Sequence, residues 1–171
     1  MITYEDIRSL SAPERFFTYA EAYLGAANAM CQQMVQDPAS GKWSNAAVVL
    51  MLAAHAVELF LKGAILAREP STYLGNRGHN LHELAADYRS HFPEPSFNWD
   101  IPFQGEFPVG FSEAEIDAFR KEIPAPSILY RYPVQKGGDE WQGLYGFEAN
   151  SFLLLLIELK HDFIRIKTQL T

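Results

Sequence analysis

The sequence predicts an all-α, up-and-down bundle of four to five helices, and three observations carry that expectation. Apolar residues recur at intervals of three and four along stretches near 16–34, 46–68 and 152–166. Start and stop signals bracket those stretches, among them Ser11-Ala-Pro-Glu14 ahead of the first, and Pro38 and Pro70 after the first and second. A run of prolines between Pro93 and Pro133 then forbids one continuous helix and sets an irregular, aromatic-rich insertion before the last helix.

In order, the first ten residues hold a short turn of helix. Ser11-Ala-Pro-Glu14 is a capping box with proline in the first turn. Behind it Phe16, Ala20, Tyr23, Ala27, Met30 and Met34 repeat at helical spacing, flanked by Phe17, Leu24 and Cys31. This predicts about seven turns, ending near Asp37–Gly41. A second helix opens at Ser44 or Asn45, both good N-caps, and ends at Arg68 before Pro70. It is apolar nearly all round through Leu52, which assigns it to the centre of the bundle.

Ser71–Gly78 is a loop rich in Gly and Asn, and His79 or Asn80 opens a third, shorter helix on Leu81, Leu84, Ala85 and Tyr88. The insertion covers about 92–147. Within it Ser112-Glu-Ala-Glu115 is a second capping box, predicting a helix over Ser112–Glu122. Ile128–Val134 and Trp141–Tyr145 predict a short β-hairpin, with Pro133 in one arm. The last helix covers Glu148–Gln169 on a stripe of Phe152, Leu155, Leu156, Leu159, Phe163 and Ile166. Leu153, Ile157 and Ile164 widen that stripe, which predicts contact on two sides. With no internal repeat, residues 1–171 read as a single domain.

Hydrophobic residues make up 48% of the chain and charged ones 20%, a globular composition that excludes disorder. Met1–Asp6 has no basic stretch, so no secretory leader is expected. Ala46–Leu66 is long enough to span a bilayer, but His55, Glu58 and Lys62 are costly at that depth, so a bundle helix and no membrane association are expected. The single Cys31 has no internal disulfide partner and reads as a small core residue, in line with a reducing, cytoplasmic setting. The net charge is −7, with no basic stripe to neutralise phosphates. DNA is therefore not expected as a partner, while a small local cationic site stays compatible.

Three constellations carry possible chemistry. His55, Glu58 and Lys62 fall at i, i+3 and i+7 on one helix face. The commoner arrangement is a solvated polar stripe with an i, i+4 ion pair. The alternative is the edge of a groove, where His55 titrates near neutrality and Lys62 holds an anion. Next, His79-x-x-His82 puts two imidazoles near one face but lacks the flanking pattern of a zinc enzyme, so no metal and no cofactor are expected. Last, Tyr130-Arg131-Tyr132-Pro133 sets a guanidinium between two tyrosines. That arrangement either stacks on a nucleobase or, more commonly, pins an irregular loop to the bundle. A nucleophile elbow, a P-loop and a dinucleotide fingerprint are all missing from the sequence.

Taken together, three segments resemble the HEPN family of helical-bundle proteins. His55-Ala-Val-Glu58-Leu-Phe-Leu-Lys62 is similar to its Glu-x-x-x-Lys helix. Gly78-His79-Asn80-Leu81-His82-Glu83-Leu84 is similar to its Gly-His-Asp/Asn-Leu-x-x-Leu helix start. Arg131-Tyr132-Pro133 is similar to its Arg-Tyr segment before the final helix. The resemblance implies a bundle of four or five helices, commonly a homodimer. It also implies an association with nucleotides or RNA, often as a metal-independent endoribonuclease of toxin–antitoxin, defence or RNA-processing systems. The family's catalytic signature, an Arg followed four to six residues later by His near the last helix, does not occur at Arg131. Those positions after Arg131 are Gln135, Lys136 and Gly137.

The expected function is accordingly a non-catalytic or divergent HEPN-like module. It would bind a nucleotide, RNA or co-encoded protein through a polar groove of His55, Glu58, Lys62, His79, Asn80, Tyr130, Arg131 and Tyr132. Two alternatives stand beside it. One is an endoribonuclease with a non-standard constellation of His79 or His82, Arg131 and Lys62, in which an imidazole moves the proton and cations stabilise the phosphorane. The other is a purely structural or regulatory dimeric partner.

Overall fold

The computed structural model describes residues 1–72, 80–104, 110, 112, 114–116, 118, 124, 126–140 and 146–170. Its helices are α1 (Glu5–Arg8), α2 (Ala12–Gln36), α3 (Trp43–Arg68), α4 (Leu81–His91), α5 (Pro126–Leu129) and α6 (Ala149–Leu170), with 3-10 turns at Pro38–Ser40 and Pro95–Phe97. The architecture is all-α, and no strand forms among the described residues.

The capping box that starts α2 is in place. The Ser11 amide donates to Glu14 Oε2 at 2.7 Å, and the Glu14 amide donates to Ser11 Oγ at 3.4 Å. Both first-turn donors are thereby satisfied, which fixes where the helix begins. Its buried residues, Phe17, Ala20, Leu24, Ala27, Cys31 and Met34, alternate three and four apart and form one stripe toward α3 and α6. Cys31 Sγ lies 3.3 Å from the Ala149 carbonyl at the head of α6, and burial pushes its thiol pKa up, as suits a core residue.

The start of α3 departs from the expected caps. The helix begins at Trp43 after Lys42, with no side-chain cap. Asn45 is already inside it and donates Nδ2 to the Ser40 carbonyl at 2.7 Å, tying the helix to the preceding 3-10 turn instead of capping it. From Val49 to Ile65 the helix is buried on nearly every side. It is long and apolar enough to cross a membrane by composition, yet 72% of its most apolar window is covered by the other elements of the bundle.

Against it α2 packs closely. A Cβ built on Gly63 would stand 2.9 Å from two ring carbons of Phe17 and 3.1 Å from Phe16 Cβ. Phe17 is itself 1% exposed and packed on Phe60 at 5.3 Å, so its ring has nowhere to go. Gly63→Ala is therefore expected to destabilise by on the order of 1 kcal/mol, even after the helix propensity alanine gains, and Gly63→Val by more. The measurement is the urea midpoint at constant m; an unchanged or raised midpoint for both variants would contradict the close approach.

α4 starts at Asn80, whose Oδ1 accepts from the His82 amide at 3.0 Å and the Glu83 amide at 3.3 Å. Leu81, Leu84, Ala85 and Tyr88 are its buried face, as their spacing predicts. The chain that follows is part of the core. Phe92, Phe97 and Ile101 are buried, and the Tyr88 hydroxyl donates to the Phe97 carbonyl at 2.8 Å. Arg68 stacks over Phe92 at 5.3 Å and pairs with Glu94 at 2.8 Å, while Arg165 donates to the carbonyls of Ser96 and Asn98. The first third of the insertion is thus clamped between α3 and α6.

Later in the insertion the second capping box forms, with the Ser112 amide 2.8 Å from Glu115 Oε2, and residues 114–116 are helical. The rest of the helix expected over Ser112–Glu122 lies largely outside the described residues. The β-hairpin is corrected. Its first arm forms no strand: Ile128 and Leu129 end the helical turn α5, and Tyr130–Val134 is turn and irregular chain, with the Tyr130 and Tyr132 amides bonded back to the Pro126 and Ile128 carbonyls. Pro126 opens that turn, where a missing N–H costs nothing, and Pro133 has no N–H to give a ladder. The second arm, Trp141–Tyr145, lies outside the described residues. On α6 Leu156, Leu159, Phe163 and Ile166 are buried, but Ile157 and Ile164 are 38% and 52% exposed. The expected contact on two sides of this helix is absent at those two positions.

Candidate functional site

Glu58 and Lys62 sit inside the bundle, at 2% and 7% exposure. One helical turn separates them, and Lys62 Nζ donates to Glu58 Oε1 at 2.7 Å. His55, one turn earlier, places Nδ1 3.7 Å from Glu58 Oε2 and keeps about a third of its side chain in solvent. The Tyr23 ring of α2 meets the His55 ring edge-on at 4.6 Å. The solvated-stripe expectation is therefore corrected: two of the three polar groups are core residues, and only the imidazole reaches water. Burial works to raise the Glu58 carboxyl, but the His55 ring and the Lys62 ammonium outweigh it and hold it at about 2. The carboxylate stays charged and the pair stays intact across the physiological range.

Tyr130, Arg131 and Tyr132 come together elsewhere, against the first turns of α3. With Trp43, Val48 and Pro133 they line a groove of about 520 Å³, which Ser44 and Glu140 complete with polar groups. The Arg131 guanidinium stands 5.6 Å from the centre of the Tyr132 ring. Trp43, Val48 and Tyr132 are 42%, 37% and 51% exposed, so both rings present surface to solvent. Tyr130 is half-buried, and burial raises its phenol pKa. The groove has the size of a small-molecule site, with two aromatic walls, one cation and one carboxylate.

The two clusters share a helix face. Ser44, Val48, Met51 and His55 fall at i, i+4, i+7 and i+11 on α3, so one strip of its surface leads from the groove to the imidazole. Asn80 is occupied as the α4 cap, and His82 is half-buried beside it. His79 lies outside the described residues. Sequence reasoning missed Trp43, Val48 and Glu140. A signal for the first two was present: a helix apolar nearly all round must leave apolar side chains at its open end, where a docking segment such as Tyr130–Pro133 can use them. No group of three metal-ligating side chains occurs among the described residues. In comparisons with family models, with curated proteins and with solved structures, no match to the chain was found.

Proposed function

We propose that the chain is a non-catalytic, HEPN-like helical module. It holds a nucleobase-bearing ligand, a nucleotide or single-stranded RNA, in the groove between Arg131 and the start of α3. The observation that carries the reading is the grouping of Arg131 and Tyr132 with exposed Trp43 around about 520 Å³ of open space. Aromatic faces accept a base by stacking, and a guanidinium accepts phosphate. The lack of a His four to six residues after Arg131 supports binding without cleavage in this groove. Glu58 and Lys62 drop out as ligand contacts in this reading, because each already satisfies the other inside the core.

Trp43 is also a built-in reporter. Adding mononucleotides or short oligoribonucleotides should change tryptophan fluorescence, and Trp43→Leu should abolish that change. Arg131→Ala is expected to weaken binding roughly tenfold, the loss of one charge-assisted contact to phosphate. An affinity that Arg131→Ala and Tyr132→Ala both leave unaltered, or no binding by any of these ligands, would refute the groove.

A further inference from the structure

The carboxylate of the Arg131 groove is brought there by a hydrogen-bonded turn. After Pro133 the chain reverses over Gln135–Glu140. The Gln135 amide donates to the Asp139 carbonyl at 2.8 Å, and the Gly138 amide donates to the Gln135 carbonyl at 3.0 Å. Gln135 Nε2 also donates to the Glu140 carbonyl, at 2.9 Å. Gly137 and Gly138 take φ of 125° and 95°, a backbone that residues with a Cβ rarely adopt, so the reversal depends on this glycine pair. It returns Glu140 to the wall that Arg131, Tyr132 and Pro133 form. Two opposite charges then share about 520 Å³ without meeting. Among the described residues, neither the Arg131 guanidinium nor the Glu140 carboxylate makes an ion pair or a hydrogen bond.

We infer that this groove selects guanine and that Glu140 is the residue that reads the base; the inference rests on the ligand reading above and adds the identity of its base. A carboxylate offers acceptors only, two oxygens side by side, so the edge that satisfies it presents two adjacent donors. Guanine has that edge, in N1–H and the 2-amino group. Adenine sets its amino group beside a bare N1, and cytosine sets its own beside a bare N3. Uracil has one N–H between two carbonyls. Each of these three turns a lone pair toward the carboxylate, which rejects them by repulsion as well as by a lost hydrogen bond. A base stacked on Trp43 or Tyr132 keeps its edge for this contact, because stacking uses only the ring face. Arg131, not engaged by Glu140, keeps its guanidinium for phosphate. A guanine nucleotide thus answers both charges of the groove at once, with donors for Glu140 and an anion for Arg131.

Calorimetric titration of the full chain with GMP, IMP, AMP, CMP and UMP tests this. GMP should bind roughly tenfold or more tightly than AMP, CMP and UMP, the worth of hydrogen bonds to a charged acceptor. IMP keeps N1–H but lacks the 2-amino group, so it should fall between GMP and AMP, a comparison that needs no variant. Glu140→Gln replaces the carboxylate with one donor and one acceptor, which suits the adenine edge. The ratio of GMP to AMP affinity should then fall to about one or invert. The trimers UGU and UAU should show the same preference as GMP and AMP, and UGU binding more tightly than GMP would identify RNA as the source of the base. Mononucleotides bound alike, and all weakened by Arg131→Ala, would overturn the inference while the groove reading stands. No binding by any of them overturns both. A GMP preference that survives Glu140→Gln, in a variant with unaltered circular dichroism, overturns the assignment to Glu140.

Discussion

Glu58→Ala is expected to cost about 3–5 kcal/mol of folding stability, which would take a large part of the roughly 5–15 kcal/mol that holds a domain of this kind together. The loss comes from what the substitution leaves behind. Lys62 Nζ is 2.7 Å from the carboxylate and the lysine is 7% exposed, so removing Glu58 strands an ammonium in the core. Lys62→Ala is expected to cost less, because the buried carboxylate it leaves keeps His55 as a neighbour 3.7 Å away. A combined Glu58→Leu, Lys62→Met variant removes both charges at similar volume and should recover most of the loss. Urea unfolding of the four proteins measures the coupling. Single-variant losses that simply add in the double variant would show that the pair is not an interacting unit.

The pair also fixes a pH dependence. The Glu58 carboxyl is held at about 2 in the folded chain against an ordinary value of 4.5, so its contribution is complete above pH 4.5 and drains away as pH falls toward 2. At about 1.4 kcal/mol per pH unit that is on the order of 3 kcal/mol. The wild type should therefore lose stability more steeply between these limits than the Glu58→Leu, Lys62→Met variant.

Much of this arrangement was legible in the sequence, and the portions that were not share a cause. The long helices follow from apolar spacing, and the starts of α2 and α4 from side chains that bond the first free amides. Those are local determinants, readable within one or two turns. The start of α3 is not local. Asn45 looks like a cap, but Ser40 lies within its reach, so its amide side chain bonds backward and the helix extends to Trp43.

The burial of Glu58 and Lys62 is likewise decided by neighbours. The i, i+4 spacing predicts the ion pair in water or in the core alike, and only packing on the surrounding elements takes it out of solvent. The hairpin failed because Pro126 favours a helical turn over the strand that the apolar residues Ile128 to Val134 suggested. Tyr130, Arg131 and Tyr132 were visible as a cluster, whereas the wall they face comes from residues about ninety positions earlier, which no local pattern connects.

That dependence on distant partners is greatest at Phe60. Its ring stacks on Phe163 of α6 at 3.9 Å and 5°, meets Phe17 of α2 at 5.3 Å, and takes the edge of Trp99 at 5.8 Å. Three parts of the chain that have no sequence proximity thus converge on one side chain of the central helix. Phe60→Ala is expected to cost about 3–5 kcal/mol, made up of the lost burial and a cavity that its neighbours cannot fill. They cannot collapse because Phe163 and Phe17 are each 1% exposed and held by long helices, and Trp99 is fixed by the clamp of Arg165 on the Asn98 carbonyl. Phe60→Leu keeps most of the volume and should cost much less, about 1–2 kcal/mol.

Chemical unfolding followed by far-UV circular dichroism and by tryptophan fluorescence measures both variants. The two probes should stay coincident, with the midpoint lowered, because Trp99 of the 92–104 segment packs on this ring and on Phe163 beside it, which couples the segment to the central helix. A Phe60→Ala loss no larger than that of Phe152→Ala, a half-buried ring at the rim of the same helix bundle, would mean that the segment is held by its hydrogen bonds to Arg165 and Tyr88 and not by the ring on which it packs.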